Sequence, residues 1–247
     1  MRAQLATLPR SRLLFIRRPD RRGQDGLAVF YGRTSERETT FCALELEEHE
    51  DLLSLDLGAA LGGTVPTPGE PLRQPLLVVC THGKRDPCCA RYGRPLYDGL
   101  REAADEGWVW QSTHVGGDRF AGNLVCLPEG LYYGRVDRFD ALPLLVDHLA
   151  GRIDIGHYRG RCWYPFPVQA AVREVRLRAG ATGIDDVALD GVERQDDGSW
   201  LVRFRAAGAV HEADVVAEHG DLTLLTCSSA TPKSPRRFRV RSVRTLP

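Results

Sequence analysis

Lysine is nearly missing from this chain of 247 residues: it stands only at Lys84 and Lys233, so almost all of the positive charge is arginine. A compositional bias of the source genome accounts for that more simply than function does. Methionine occurs once, and no apolar run approaches the length of about 18 residues at which a membrane span is suspected. The run at 13–16 is too short for a signal-peptide core and is followed by Arg17 and Arg18. The chain therefore reads as a soluble, cytoplasmic protein with no membrane partner. Net charge is missing too: 33 basic and 33 acidic side chains cancel, which argues against a global attraction to nucleic acid. Paired zinc-type cysteine spacings and the Cys-x-x-Cys of thiol oxidoreductases are both absent.

Seven cysteines are present, an odd number not spaced as a secreted disulfide framework. Cys42 and Cys126 sit inside apolar, strand-like runs and read as small buried hydrophobes. Cys162 and Cys227 read as structural. The remaining three cluster in Cys80-Thr-His-Gly-Lys-Arg-Asp-Pro-Cys88-Cys89, followed by His114-Val-Gly-Gly-Asp118-Arg-Phe-Ala-Gly-Asn123. Soft sulfur ligands with an imidazole, each just after a short apolar strand, suit an iron–sulfur or other soft-metal site. Adjacent side chains diverge, so one of Cys88 and Cys89 at most is expected to face the same centre as Cys80. Asp118 has three readings: a ligand, a partner that orients His114, or a salt-bridge partner of Arg119. His82 reads either as a ligand or as a solvated loop residue.

The fold class expected is α/β, or α+β overall, in three sections. Residues 1–72 form a β-rich N-terminal section, with strands near 12–17, 27–31 and 40–46 and helical turns over 47–61. Residues 73–152 form the best-defined unit. It has a doubly buried strand at 76–80, a helix over 95–104, a strand at 108–113, a hairpin over 124–136 and a helix over 139–149 that turns Leu142, Leu145, Val146 and Leu149 inward. This β-α-β unit joined to a hairpin and a closing helix is a thioredoxin-like layout. Residues 153–247 read as an α+β appendage with a helix over 167–179, strands near 187–195, 200–205, 210–218 and 222–227, and a basic C-terminal strand.

The two motifs, in this order, together with Gly130-Leu-Tyr-Tyr-Gly134 and Leu149-Ala-Gly-Arg-Ile-Asp154, resemble the sucrase/ferredoxin-like family, one of the thioredoxin-like [2Fe-2S] ferredoxins. The resemblance covers roughly residues 70–165. It implies a [2Fe-2S] cluster held by Cys80, Cys89 and His114, with Asp118 where fungal members carry a second histidine. An aspartate there implies a more labile cluster of lower potential. Cys88 is a substitute ligand after a loop shift. No pair of carboxylates supports the sucrose cleavage recorded in the family's name.

Three functions follow, in descending order. The first is electron transfer or redox sensing by a mixed Cys/His cluster, an electron carrier more than an enzyme, serving an unidentified redox partner protein. The second is a thioredoxin-like thiol redox protein without a cluster. The third is a binding module using Arg236, Arg237, Arg239, Arg241 and Arg244, with nucleic acid disfavoured by the zero net charge.

Overall fold

A computed structural model describes residues 8, 10–21, 26–36, 38–62, 65 and 67–246, and shows a mixed α+β protein with three sheets. The N-terminal part contributes β1 (Ile16–Arg17), β2 (Leu27–Thr34) and β3 (Thr39–Leu46). It also holds the short helices α1 (Asp51–Ser54) and α2 (Leu57–Leu61) and the two-residue β4 (Glu70–Pro71). The middle runs β5 (Leu76–Cys80), α3 (Pro87–Ala103), β6 (Val109–Ser112), β7 (Leu124–Leu127), β8 (Leu131–Tyr133) and α4 (Ala141–Leu149). The remainder is β9 (Tyr158–Arg161), α5 (Phe166–Ala179), β10 (Val187–Arg194), β11 (Trp200–Ala206), β12 (Ala209–His219) and β13 (Arg236–Leu246).

The central sheet has the order β1-β6-β5-β7-β8-β9. β5 and β6 are parallel, while β7 and β8 return antiparallel. Every residue of β5 is buried, as its unbroken Leu-Leu-Val-Val-Cys run requires of a strand covered on both faces. Its alternation divides two cores. Leu77 and Val79 join Leu96, Leu100, Leu144 and Leu145 under α3 and α4. Leu76, Val78 and Cys80 meet Trp110 and Val125 on the other face, where Ala28, Phe30 and Phe41 of the β2–β3 hairpin pack against them. The first core continues without a break into the four-stranded antiparallel sheet β10-β11-β12-β13 through Val168, Val172 and Val175 of α5.

Several expectations need correction. The middle helix begins at Pro87, eight residues before the predicted start at 95. Asp86 is its N-cap and accepts from the Cys88 amide at 2.9 Å, and Pro87 occupies the first turn, where its missing N–H costs nothing. Pro95 therefore lies inside the helix. An interior proline costs about 3 kcal/mol. Burial of Leu96, Tyr97 and Leu100 at about 2 kcal/mol each outweighs that, and Pro95 itself faces solvent, so water can reach the carbonyl it leaves unpaired.

In α4 the inward face is Ala141, Leu144, Leu145 and His148, while Leu142, Val146 and Leu149 are exposed. The leucine-rich sequence offered two apolar faces, and the core took the one containing Ala141, whose small side chain sits against Gly99 of α3. Residues 222–227 are not a strand: Leu222 and Leu224 face solvent, and Thr226 bonds locally with Ser228 and Ser229. The fourth strand of that sheet is β13, which carries the arginine-rich C-terminal segment. At the N-terminus only Ile16 and Arg17 of the stretch 12–17 make ladder pairs. The helical turns over 47–61 divide into α1 and α2.

Candidate metal centre

Three backbone devices bring the motif residues together. Cys80 ends β5 and pairs with Ser112 of the parallel β6, so His114, two residues past that strand, emerges beside it. Cys89 stands in the first turn of α3, and its amide bonds to the Asp86 carbonyl at 3.0 Å. Gly93, one turn further along α3, lies against the Cys80 backbone, where any side chain would strike the Cys80 carbonyl. Close approach at that glycine lets the helix start sit over the strand end.

The result is a tight triangle. His114 Nδ1 lies 4.0 Å from Cys80 Sγ and 3.9 Å from Cys89 Sγ, and the three donor atoms are all within 4.8 Å of one another. Both cysteines are 0% exposed. Cys80 is pulled down to about 5, chiefly by the Cys89 thiol donating to it and further by the His82 and Val115 amides and by His114. The same sulfur–sulfur hydrogen bond, reinforced by burial, holds Cys89 well above the ordinary thiol range. The two sulfurs thus share one hydrogen bond, and a soft cation would take the place of its proton.

The other ring nitrogen of His114 faces Asp118. Oδ1 lies 2.9 Å from Nε2, buried and otherwise without a hydrogen-bond partner among the described residues. A carboxylate behind a ligating imidazole fixes its tautomer and raises its basicity. Asp118 therefore stands on the far side of the ring from the thiols, and the structure does not bring it to them as a fourth donor. Cys88, the substitute, is directed away and joined to Cys227 in a disulfide with Cα atoms 5.4 Å apart. Adjacent side chains do diverge here, as the sequence implied. His82 braces the loop by accepting from the His114 amide at 3.3 Å.

Residues that the sequence reading did not single out hold the histidine loop. The Val115 carbonyl accepts from Arg12 and, at 3.1 Å, from the Tyr132 hydroxyl. Buried Asn123 donates to the Gly117 carbonyl at 3.0 Å and accepts from Arg159 at 2.7 Å. Asn123, the polar residue that ends the second motif just before an apolar strand, was the available signal for this brace. Gly116 and Gly117 turn the loop with φ of 99° and 77°, in the region glycine tolerates.

Beside the loop, Arg119, Arg135 and Arg159 gather over the Phe120 ring at 4.8, 5.4 and 4.3 Å. Burial brings Arg159 down to about 10, and Arg119 and Arg135 push in the same direction. Among the described residues none of the three forms an ion pair with a carboxylate. The flank of the site is therefore strongly positive.

Comparison with known proteins agrees with these motifs. Residues 22–160, more than half of the chain, match the sucrase/ferredoxin-like pattern, both motifs included. The chain belongs to that family. The chain is also similar to a curated protein, "Altered inheritance of mitochondria protein 32" of Eremothecium gossypii. The two are 34% identical over 94 residues, which is 37% of this chain and 28% of that protein. The chain thus matches little more than a quarter of the length of that relative. No solved structure matches it. No helix among the described residues is long and apolar enough to cross a membrane.

Proposed function

We propose that this member of the sucrase/ferredoxin-like family is a one-electron redox protein of the thioredoxin-like ferredoxin type, with Cys80, Cys89 and His114 holding a [2Fe-2S] cluster. The observation that carries the reading is the convergence of two buried sulfurs within 4.0 Å of one imidazole nitrogen. Two further features support it. The strand order β6-β5-β7-β8, with one parallel and two antiparallel pairings and α3 packed on α4, supports the thioredoxin-like part of this reading. The donor set also suits iron: thiolates and imidazole are the ligands of mixed two-iron centres. When bound, the cluster would supply one-electron oxidation and reduction. The chain's own part is to present the donors, keep them dry and set the potential by charge. Asp118 holds His114 from behind, and the arginines at 119, 135 and 159 offset added negative charge and offer a docking flank to a carboxylate-bearing redox partner.

A second reading is favoured by one measurement, the compactness of the triangle. A single ion bound at about 2.3 Å to sulfur and about 2.1 Å to nitrogen in tetrahedral geometry brings those atoms about 3.6 Å apart. The observed 3.9 and 4.0 Å are close to that. The cluster-free thiol reading is weaker, because both sulfurs are inaccessible to a protein substrate.

Iron and acid-labile sulfide analysis of anaerobically purified protein separates these. Two irons and two sulfides per chain, with visible bands lost in Cys80→Ser and Cys89→Ser, support the cluster. One zinc or iron without sulfide supports the single-ion site, and a colourless, metal-free chain supports the thiol reading.

A further inference from the structure

Cys88 and Cys227 are 139 residues apart in sequence and are joined across two parts of the fold. Cys88 is buried in the first turn of α3, immediately before Cys89. Cys227 is exposed, at the tip of a strap formed by residues 220–235 between β12 and β13. The strap closes on itself at its base, through the Gly220 amide to the Pro235 carbonyl and the Thr223–Lys233 bridge. Its apolar side chains Leu222 and Leu224 are exposed and bury nothing. Its tip is tied to the first turn of α3. The Cys227 amide donates to Cys88 Sγ at 2.9 Å, and the Ser228 amide and hydroxyl both donate to Asp86 Oδ2. Asp86 is the N-cap of the helix that carries Cys89. Between strap and site lies a cleft of about 410 Å³ lined by Arg85, Asp86 and Asp118 on one side and by Thr226, Ser228 and Lys233 on the other.

We propose that Cys88–Cys227 is a thiol–disulfide exchange site whose opening by a dithiol releases the strap and uncovers the Cys80–Cys89–His114 triangle. The chemistry is directional. An incoming thiolate attacks the sulfur of Cys227, the exposed residue of the pair, and forms a bond to it. The Cys88–Cys227 bond breaks, and Cys88 leaves as a thiolate at the N-terminus of a 17-residue helix, where backbone amides and the helix dipole stabilise negative charge. The second thiolate of the dithiol then attacks its own sulfur in the mixed disulfide and displaces Cys227 as thiolate. The dithiol loses two electrons and becomes a disulfide, and the two cysteines gain those electrons. The hydrogen bonds of Ser228 and Thr226 to the Asp86 carboxylate, and of the Cys227 amide to Cys88 Sγ, are then what remains to hold the strap. The strap is a device for exposure of the neighbouring thiols, whatever those thiols hold, so the proposal does not depend on the cluster.

The test is native alkylation mapped by mass spectrometry on the full chain, purified without reductant and analysed both as isolated and after chelation. Cys80 is the only cysteine of the tryptic peptide 74–84, Cys88 and Cys89 share 86–91, and Cys227 lies on 206–233. The expected result is a linked 86–91/206–233 pair that Cys88→Ala abolishes. A small dithiol should break this link and raise the alkylation rate at Cys80 by about tenfold, the scale of a local opening made easier. Cys227→Ser should show the fast rate with or without dithiol. Should that variant not fold, the dithiol arm on the wild-type chain carries the test, and Ser228→Ala, which removes the hydroxyl bond to Asp86 but keeps the disulfide, should be fast only after the dithiol. Protection lost on chelation alone reports bound metal and speaks to the cluster. A link absent from every unreduced preparation, or a Cys80 rate unchanged by reduction at equal metal content, overturns the proposal.

Discussion

Gly93 of α3 lies with its α-carbon against the Cys80 carbonyl, so a methyl group there would overlap that oxygen. The contact fixes the height of the helix on the strand and hence the meeting of Cys89 with Cys80. Gly93→Ala is expected to lose about 2 kcal/mol in urea denaturation, because backbone cannot yield as a flexible side chain can. Metal content should fall further than stability alone explains. A Gly93→Ala chain of unchanged stability and full metal content would show that the contact positions nothing.

Asp118 is expected to act through His114. Asp118→Ala should leave the fold intact and speed release of bound metal to a chelator by about tenfold, at the lower end of what removing such a partner does. Asp118→Asn, which can still meet the ring, should fall between the two. Release rates that are equal in all three would remove Asp118 from the site.

Acid stability offers a separate check on the C-terminal sheet. Glu212 is buried and accepts from Arg244 and, at 2.7 Å, from Arg203; the Arg244 contact is the chief reason its carboxyl titrates below the usual glutamate range. A lowered folded value means that the stabilisation is complete above the ordinary pKa of about 4.3 and is lost as pH falls through the folded value. Glu212→Gln should therefore cost about 1–2 kcal/mol at pH 7 and flatten the stability profile below pH ~5. Equal slopes for the two proteins in that window would contradict the assignment.

Arg176 tests how the two sheets are joined. It is fully buried, with its guanidinium bonded to the carbonyls of Ala181, Gly183 and Ile184 at 3.1, 2.7 and 3.0 Å. Arg176→Met fills much of the volume but removes the donor of the Ala181 carbonyl and one of the two donors of the Gly183 and Ile184 carbonyls, and a loss of about 2 kcal/mol is expected. Amide exchange should rise first at 181–186, and uniform exchange across the chain would argue for a different role.

Much of this fold was legible because its strongest signals are local. The unbroken apolar run of β5 and the alternations of β10 to β12 can be read directly as a doubly covered strand and an antiparallel sheet. The start of α3 was hidden because Pro95 mimics a first-turn proline, while the Asp86-Pro87 pair that does start the helix lies inside a motif that reads as a ligand loop. The 222–227 alternation misled because its leucines have no core to face.

The candidate site was legible in part. Cys80, Cys89 and His114 converge, since parallel neighbouring strands bring their ends side by side. Spacing alone could not say which nitrogen of His114 faces the thiols, and that choice decides what Asp118 does. Nor could it pair Cys88 with Cys227, 139 residues on, because that contact depends on tertiary packing.

In the proposed function His114 donates Nδ1 to a two-iron centre. Pulsed electron paramagnetic resonance on the dithionite-reduced protein tests it most directly. The account predicts a spin-half iron–sulfur signal coupled to an imidazole nitrogen, with that coupling abolished in His114→Cys while the cluster is kept. A reduced protein with no such signal, or one whose nitrogen coupling survives the substitution, would contradict it.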